Sequence, residues 1–193
     1  MVILGNSRTV LGAALGATLA IWLGAGQAMA QAPVNAAPTV TAVTVTAGPA
    51  LPTAAFIQSV ASMDAFEQRA GKISQLMGNS LEVRALGKTM ADDHAKNAAA
   101  LTAAVASAQI AMPTADLSPA QTEITKTLYS VPARDFDRAY ITGEVASHTQ
   151  ALAVAQAYAS GGDNAAVKTI AQNLIPAIQR HLDQARAIQG RIR

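Results

Sequence analysis

Residues 81–109 read LEVRALGKTMADDHAKNAAALTAAVASAQ, and the architecture of the chain turns on them. Val83, Leu86, Met90, Leu101 and Val105 recur at helical spacing, so one face of the segment points into a core. At about 100° per residue, His94 falls within ~20° of Val83, Leu101 and Val105. An imidazole therefore stands in the middle of the apolar stripe, not on its wet edge. A buried polar group without a partner costs roughly 1–3 kcal/mol, so the fold has to supply His94 with one.

On the N-terminal side, Gly78-Asn79-Ser80 breaks the chain, with Ser80 as N-cap and Glu82 in the first turn of the His94 helix. Before the break, residues 53–77 form another helix with Phe56, Val60, Met63 and Ala70 along its stripe. Glu67 lies within ~20° of Phe56 and Val60, a carboxylate where an apolar residue belongs.

On the C-terminal side, residues 110–117 form a loop containing Pro113, and Ser118-Pro119-Ala120-Gln121 opens a short helix with a capping box. That helix runs to about residue 129, before Pro132. A third long helix spans residues 133–160, with Phe136, Tyr140, Ile141, Leu152 and Ala155 inward and His148 on the same stripe. Gly161-Gly162 ends it, and Asp163 is placed to cap the next helix. This fourth long helix, over 164–189, turns Val167, Ile170, Leu174, Ile178, Ala185 and Ile188 inward with His181 among them. Pro176 inside it orphans the carbonyl of Gln172 and predicts a kink. The class is all-α: four amphipathic helices packed as a bundle, with the short helix in the connection between the second and third.

The composition agrees. The 193 residues are 51% hydrophobic, 13% charged and 4% aromatic, which suits a single helical domain with extensions. Net charge is +2; without Arg8 in the leader, 13 basic residues face 12 acidic ones, so electrostatics offers no case for nucleic acid. The chain has no cysteine, which excludes disulfides, thiol chemistry and a lipoprotein anchor. Residues 1–30 read as a signal peptide, with Arg8, an apolar run over 10–23 and the small-x-small site Ala28-Met29-Ala30. Cleavage after Ala30 leaves an exported protein, periplasmic or secreted, with no strong membrane association; retention of the run as an inner-membrane tether is the alternative. Residues 31–52, uncharged and punctuated by Pro33, Pro38, Pro49 and Pro52, read as a disordered linker ahead of the helical domain at 53–189.

All three histidines lie inside stripes, one on each of three helices, and Glu67 lies on the fourth. At ~1.5 Å per residue, Glu67, His94 and His148 stand about 20 Å from their helix starts and His181 roughly 27 Å. The four thus converge on one level of the core. Imidazole and carboxylate are the usual ligands of zinc, copper, iron and manganese, so Glu67, His94, His148 and His181 are nominated to hold a single ion. Three further residues stand beside them. Asp93, about 100° round from His94, orients a ring N–H or is solvated, and Glu144 is an extra ligand or a partner for Arg138. Tyr140 belongs to the core, with its hydroxyl in support. Asp92 is solvated. No serine nucleophile is placed beside a histidine and no phosphate-cradling loop exists. The competing reading is a buried Glu–His network that sets helix register, inside a non-catalytic envelope or stress-related interaction module. Storage, sensing and catalysis are not separated by sequence.

Glu67 with Gly71-Lys72-Ile73, Met90-x-x-Asp-His94, Phe136-Asp137-x-x-Tyr140 followed by His148, and Pro176 followed by His181-Leu182 resemble the exported bacterial family catalogued as domain of unknown function 4142. The resemblance spans residues 53–188. It implies a ferritin-like four-helix bundle with a long crossover between helices two and three, and no activity. One departure matters. Carboxylate-bridged di-iron proteins carry Glu-x-x-His on two helices, whereas the positions three before the histidines are Ala91, Val145 and Ile178. Ferroxidase chemistry of that kind is therefore not expected.

Overall fold

In the computed structural model, which describes residues 49–192, every regular element is helical. The long helices are α1 (Thr53–Met77), α2 (Leu81–Ser107), α4 (Phe136–Gly161) and α5 (Ala165–Gln189). A short α3 (Pro119–Ser130) and a single 3₁₀ turn (Ala133–Asp135) occupy the connection between α2 and α4. The nominated signal peptide and the linker up to residue 48 lie outside the described residues. No described helix is long and apolar enough to cross a membrane.

Local chemistry sets the helix ends. The Ser80 hydroxyl accepts the Val83 N–H at 3.2 Å, and Ser118 and Gln121 form the reciprocal capping box at 3.2 and 2.8 Å. The cap of α5 is Asn164, one residue later than expected. The carbonyl of Asn164 accepts the first helical bond, from Lys168, so its side chain is the one placed to take the Val167 N–H at 3.1 Å. Asp163 instead accepts the Thr53 hydroxyl at 2.5 Å and the Tyr158 hydroxyl at 3.0 Å, which ties the start of α1 to the end of α4. Beyond Ser107, Gln109 takes a φ of 56° where glycine is usual, and Ile110 donates back to the Val105 carbonyl at 2.9 Å.

α1 packs along α2 and α4 along α5; α2 also meets α5, α1 meets α4, and α3 lies over α1 and α4. Asp137, at the start of α4, accepts the backbone N–H groups of Asn79 and Ser80 at 2.7 and 2.9 Å. α2 and α4 therefore begin side by side. At the same end Arg191 meets Glu82 at 3.2 Å, just beyond the end of α5.

The inward face of α1 is turned relative to the expected stripe. Val60 and Met63 are only half-buried, whereas Ile57, Ala61, Asp64, Gly71 and Ser74 are buried. Gly71 and Gly87 explain the turn: with no Cβ at either position, α1 and α2 approach until the Ser74 hydroxyl donates to the Val83 carbonyl at 3.0 Å, fully buried. In α5 the helix runs unbroken through the exposed Pro176, and Ile170, Leu174 and Ile178 are half-buried, as Leu152 is in α4.

The apolar core is in two parts. One cluster holds Phe66, Ile73, Val83, Met90, Phe136 and Ile141; the other holds Phe56, Ile57, Leu101, Val105, Tyr158 and Val167. Each long helix passes from one cluster to the other, and each carries buried ionisable residues near the boundary: Asp64 and Glu67, His94, Glu144 and His148, and His181. A layer of ionisable side chains thus interrupts a core that Leu or Ile at those positions would have made continuous.

Candidate metal centre

Each histidine in the layer is held by one ring nitrogen. His94 donates Nδ1–H to Asp64 Oδ1 at 2.8 Å, and both Asp64 oxygens also accept the Asn97 amide, at 2.9 and 2.8 Å. His148 donates Nδ1–H to the Glu144 carbonyl, one turn back on its own helix, at 3.0 Å. His181 donates Nε2–H to Asp93 Oδ2 at 3.2 Å. A neutral imidazole has one N–H, so these bonds leave lone pairs on Nε2 of His94, Nε2 of His148 and Nδ1 of His181.

The three rings converge. The ring centroids stand 5.7 Å apart for His94–His148 and 5.4 Å for each of the other two pairs. One nitrogen from each ring lies within 4.8 Å of the others. Nε2 of His94 and Nε2 of His148 are buried without any hydrogen-bond partner. Three imidazoles bound to one ion at ~2.1 Å and tetrahedral angles have centroids about 5 Å apart, so a small contraction suffices to close the triangle on an ion.

The carboxylates adjoin it. Glu67 Oε1 accepts the Ser147 hydroxyl at 3.1 Å, while Oε2 has no partner. Glu144 Oε2, likewise without a hydrogen bond, stands 3.4 Å from His148 Nδ1, and Glu67 Oε1 stands 4.0 Å from it. Of the residues nominated from sequence, His94, His148 and His181 thus come together as one group, and Glu67 groups with Glu144 and His148 as another. Asp93 orients His181, across the helix interface, and not its sequence neighbour His94. Asp92 pairs with Lys88 on the exposed surface.

Asp64 is the residue that sequence reasoning missed. It is buried, it fixes the ring of His94, and it lies one turn before Glu67. The available signal was its line on α1: Ala61, Asp64, Gly71 and Ser74 are small or polar, and small residues are what a close helix crossing requires.

Burial governs the electrostatics. It brings the His148 pKa from 6.5 to about 3, with the nearby His94 and His181 adding to the effect. It also lowers His181, against the opposing bond to Asp93. Burial and then the Glu144 charge hold Glu67 well above the ordinary 4.5, and burial raises Glu144 too. The Tyr140 phenol is pushed well up by burial and then by Glu144. At Asp93 burial acts upward, but hydrogen bonds from His181 and Lys96 outweigh it and hold the carboxyl low.

Metal-free protein should therefore be most stable in mildly acidic solution. A histidine whose folded pKa lies below its unfolded 6.5 binds protons first in the unfolded chain, so its stability is lost as pH falls from 6.5 toward about 3. At ~1.4 kcal/mol per unit, His148 alone accounts for up to roughly 4–5 kcal/mol. Glu67 and Glu144 act oppositely: their raised folded pKa values hold protons in the native state, and stability falls as pH rises through those values. The trends overlap between pH 4.5 and 6.5, and below 4.5 the histidine loss is unopposed by these two carboxyls. Urea midpoints in excess chelator from about pH 3 to 9 measure this. A midpoint that climbs steadily to the alkaline end contradicts it, and Glu67→Gln should flatten the alkaline limb.

Comparison with known proteins supports the fold and the family. No curated protein matches the chain in sequence. A solved structure, described as the crystal structure of a DUF305 fragment from Deinococcus radiodurans, is similar at a TM-score of 0.62 and 14% identity, over 75% of this chain and 99% of that one. That likeness is one of fold alone. The family model described as domain of unknown function (DUF4142) matches residues 38–188, and the chain belongs to that family.

Proposed function

We propose that this protein is an exported ferritin-like helical domain that binds a transition-metal ion in its polar layer. The donors are His94 Nε2, His148 Nε2 and His181 Nδ1, with Glu67 and Glu144 alongside to balance the charge. The observation that carries the reading is the pair of buried, unpartnered Nε2 atoms on His94 and His148, each on a ring whose other nitrogen is already held by an acceptor. A hydrogen-bond network built only to set helix register would satisfy both nitrogens; leaving two bare costs roughly 1–3 kcal/mol each. Rings oriented by a carboxylate or carbonyl on the far nitrogen are how proteins present imidazole to zinc, copper, iron or manganese.

The ferritin-like arrangement is supported by α2 and α4 beginning side by side. The 27 residues of α2 are about 40 Å long, so residues 108–135 have to return that distance as a crossover. Export rests on residues 1–30, and Gln31 as the first residue of the secreted form is the check.

Elemental analysis of untagged protein from its native compartment tests the metal. Near-stoichiometric zinc, copper, iron or manganese is expected, absent from His148→Ala. Chelation should lower stability by ~2.7 kcal/mol if the free ion had been at a hundred times its Kd. If no metal is found and none of the four ions shifts the melting temperature, the layer is a structural network and the proposal falls.

A further inference from the structure

We infer that the chain has a second, oxygen-rich cation site, formed by the carboxylates of Glu67 and Glu144 beside the hydroxyl of Tyr140. It deepens the preceding reading and rests on it only for the ion in the histidine triangle. Glu67, Glu144 and Tyr140 are 0%, 3% and 2% exposed, and Glu67 Oε2, Glu144 Oε2 and the Tyr140 hydroxyl are all buried without a well-formed hydrogen bond. Ligand atoms of Glu67, Glu144 and His148 lie within 4.8 Å of one another, a second cluster distinct from the three imidazoles.

The two clusters meet different parts of the His148 ring. Its Nδ1 edge faces the carboxylates, at 3.4 Å from Glu144 and 4.0 Å from Glu67, and its Nε2 is untouched by them. Because Nδ1–H is donated to the Glu144 carbonyl, His148 is the wall between the clusters and not a ligand to the second. Glu67 and Glu144 are close enough to interact through a proton in the metal-free protein, and a cation between them takes that proton's place. The cluster has the donors for an ion. Two carboxylates and a phenol are hard oxygen ligands, so the class of ligand is a divalent cation that accepts oxygen, such as Mn²⁺ or Fe²⁺, while the imidazoles suit zinc or copper.

A narrow cleft between α1, α3 and α4 is walled by Phe66, Ile124, Leu128 and Gly143 and has Tyr140 and Glu144 in its lining. At Gly143 a Cβ would meet nothing within 4 Å, so that side of the cleft is open.

The test is a two-metal titration of untagged, full-length purified protein. One equivalent of Zn²⁺ is added first, then Mn²⁺, followed by EPR of bound manganese and by elemental analysis after gel filtration. One zinc and one manganese per chain are expected. Glu144→Gln and Glu67→Gln should each weaken manganese at least about tenfold with zinc retained, and His181→Ala should lose zinc with manganese retained. One zinc and no manganese overturns the second site and leaves the histidine site standing. Manganese without zinc upholds the second site and removes the first. Manganese that displaces zinc one for one shows a single shared site and overturns the inference. These wild-type stoichiometries decide the matter even if a variant fails to fold.

Discussion

Gly71→Ala is expected to destabilise the protein by about 3 kcal/mol, even though alanine is the better helix former. A Cβ at residue 71 would run into the Gly87 carbonyl and stand 3.0 Å from the Ala91 nitrogen and 3.1 Å from its Cβ. Two of these three atoms are backbone, so no rotamer change relieves the contact and α1 has to move off α2. The consequence reaches the polar layer. α1 carries Asp64 and Glu67 and α2 carries His94, so separating the helices stretches the 2.8 Å bond that fixes the His94 ring. Metal affinity should fall along with stability. Gly143→Ala is the control: with nothing in its path it should gain roughly 0.5–1 kcal/mol. Urea midpoints of the two variants side by side make the comparison, and a neutral Gly71→Ala would mean that the helix crossing is not tight.

Asp64→Ala should cost a similar amount, about 3 kcal/mol, for a different reason. The carboxylate serves three donor contacts, one from His94 and two from the Asn97 amide. Truncation leaves the buried His94 N–H without its acceptor, an unmade bond that costs roughly 1–3 kcal/mol, and takes the half-buried Asn97 amide's partner away. It also frees the His94 ring to change tautomer or to swing. Loss of such an orienting partner typically weakens a metal site by about 10–100-fold. Asp64→Asn should fall between, since an amide retains one acceptor oxygen but turns a donor toward the Asn97 amide. Nitrogen NMR of the imidazoles separates this from general loss of stability. Metal-free wild type should show the proton of His94 on Nδ1, and Asp64→Ala should not. An unchanged tautomer with reduced stability would leave Asp64 a packing residue only.

How much of this was legible in the chain differs from residue to residue. The stripe of α2 came through whole, with Val83, Leu86, Met90, His94, Leu101 and Val105 all buried, because large apolar side chains announce an inward face. The Ser80 cap and the Ser118–Gln121 box were equally plain, since the side chain and its N–H partner lie within four residues. His148 and His181 were found buried among apolar residues for the same local reason. α1 was read less well. The side of it that faces α2 is lined by Ala61, Asp64, Gly71 and Ser74, and small residues carry little hydrophobic signal while permitting the closest approach.

Hydrogen-bond capping and helical periodicity act within a few residues, so they are written locally. That is why four long helices, the caps of α2 and α3, and the placement of three histidines and Glu67 on apolar faces can all be read from the chain, while the third long helix, expected from residue 133, begins at Phe136 after a 3₁₀ turn. The pairings inside the polar layer have no such local record. That Asp64 is the partner of His94, that Asp93 reaches across to His181, that Glu67 falls beside Glu144, and which nitrogen of each ring is left bare all emerge from packing. Those outcomes depend on how far one helix slides and turns against the next. A one-residue shift is about 1.5 Å along a helix and 100° around it, enough to exchange one partner for another, and that offset is set by the packing of glycines and side chains far apart in the chain.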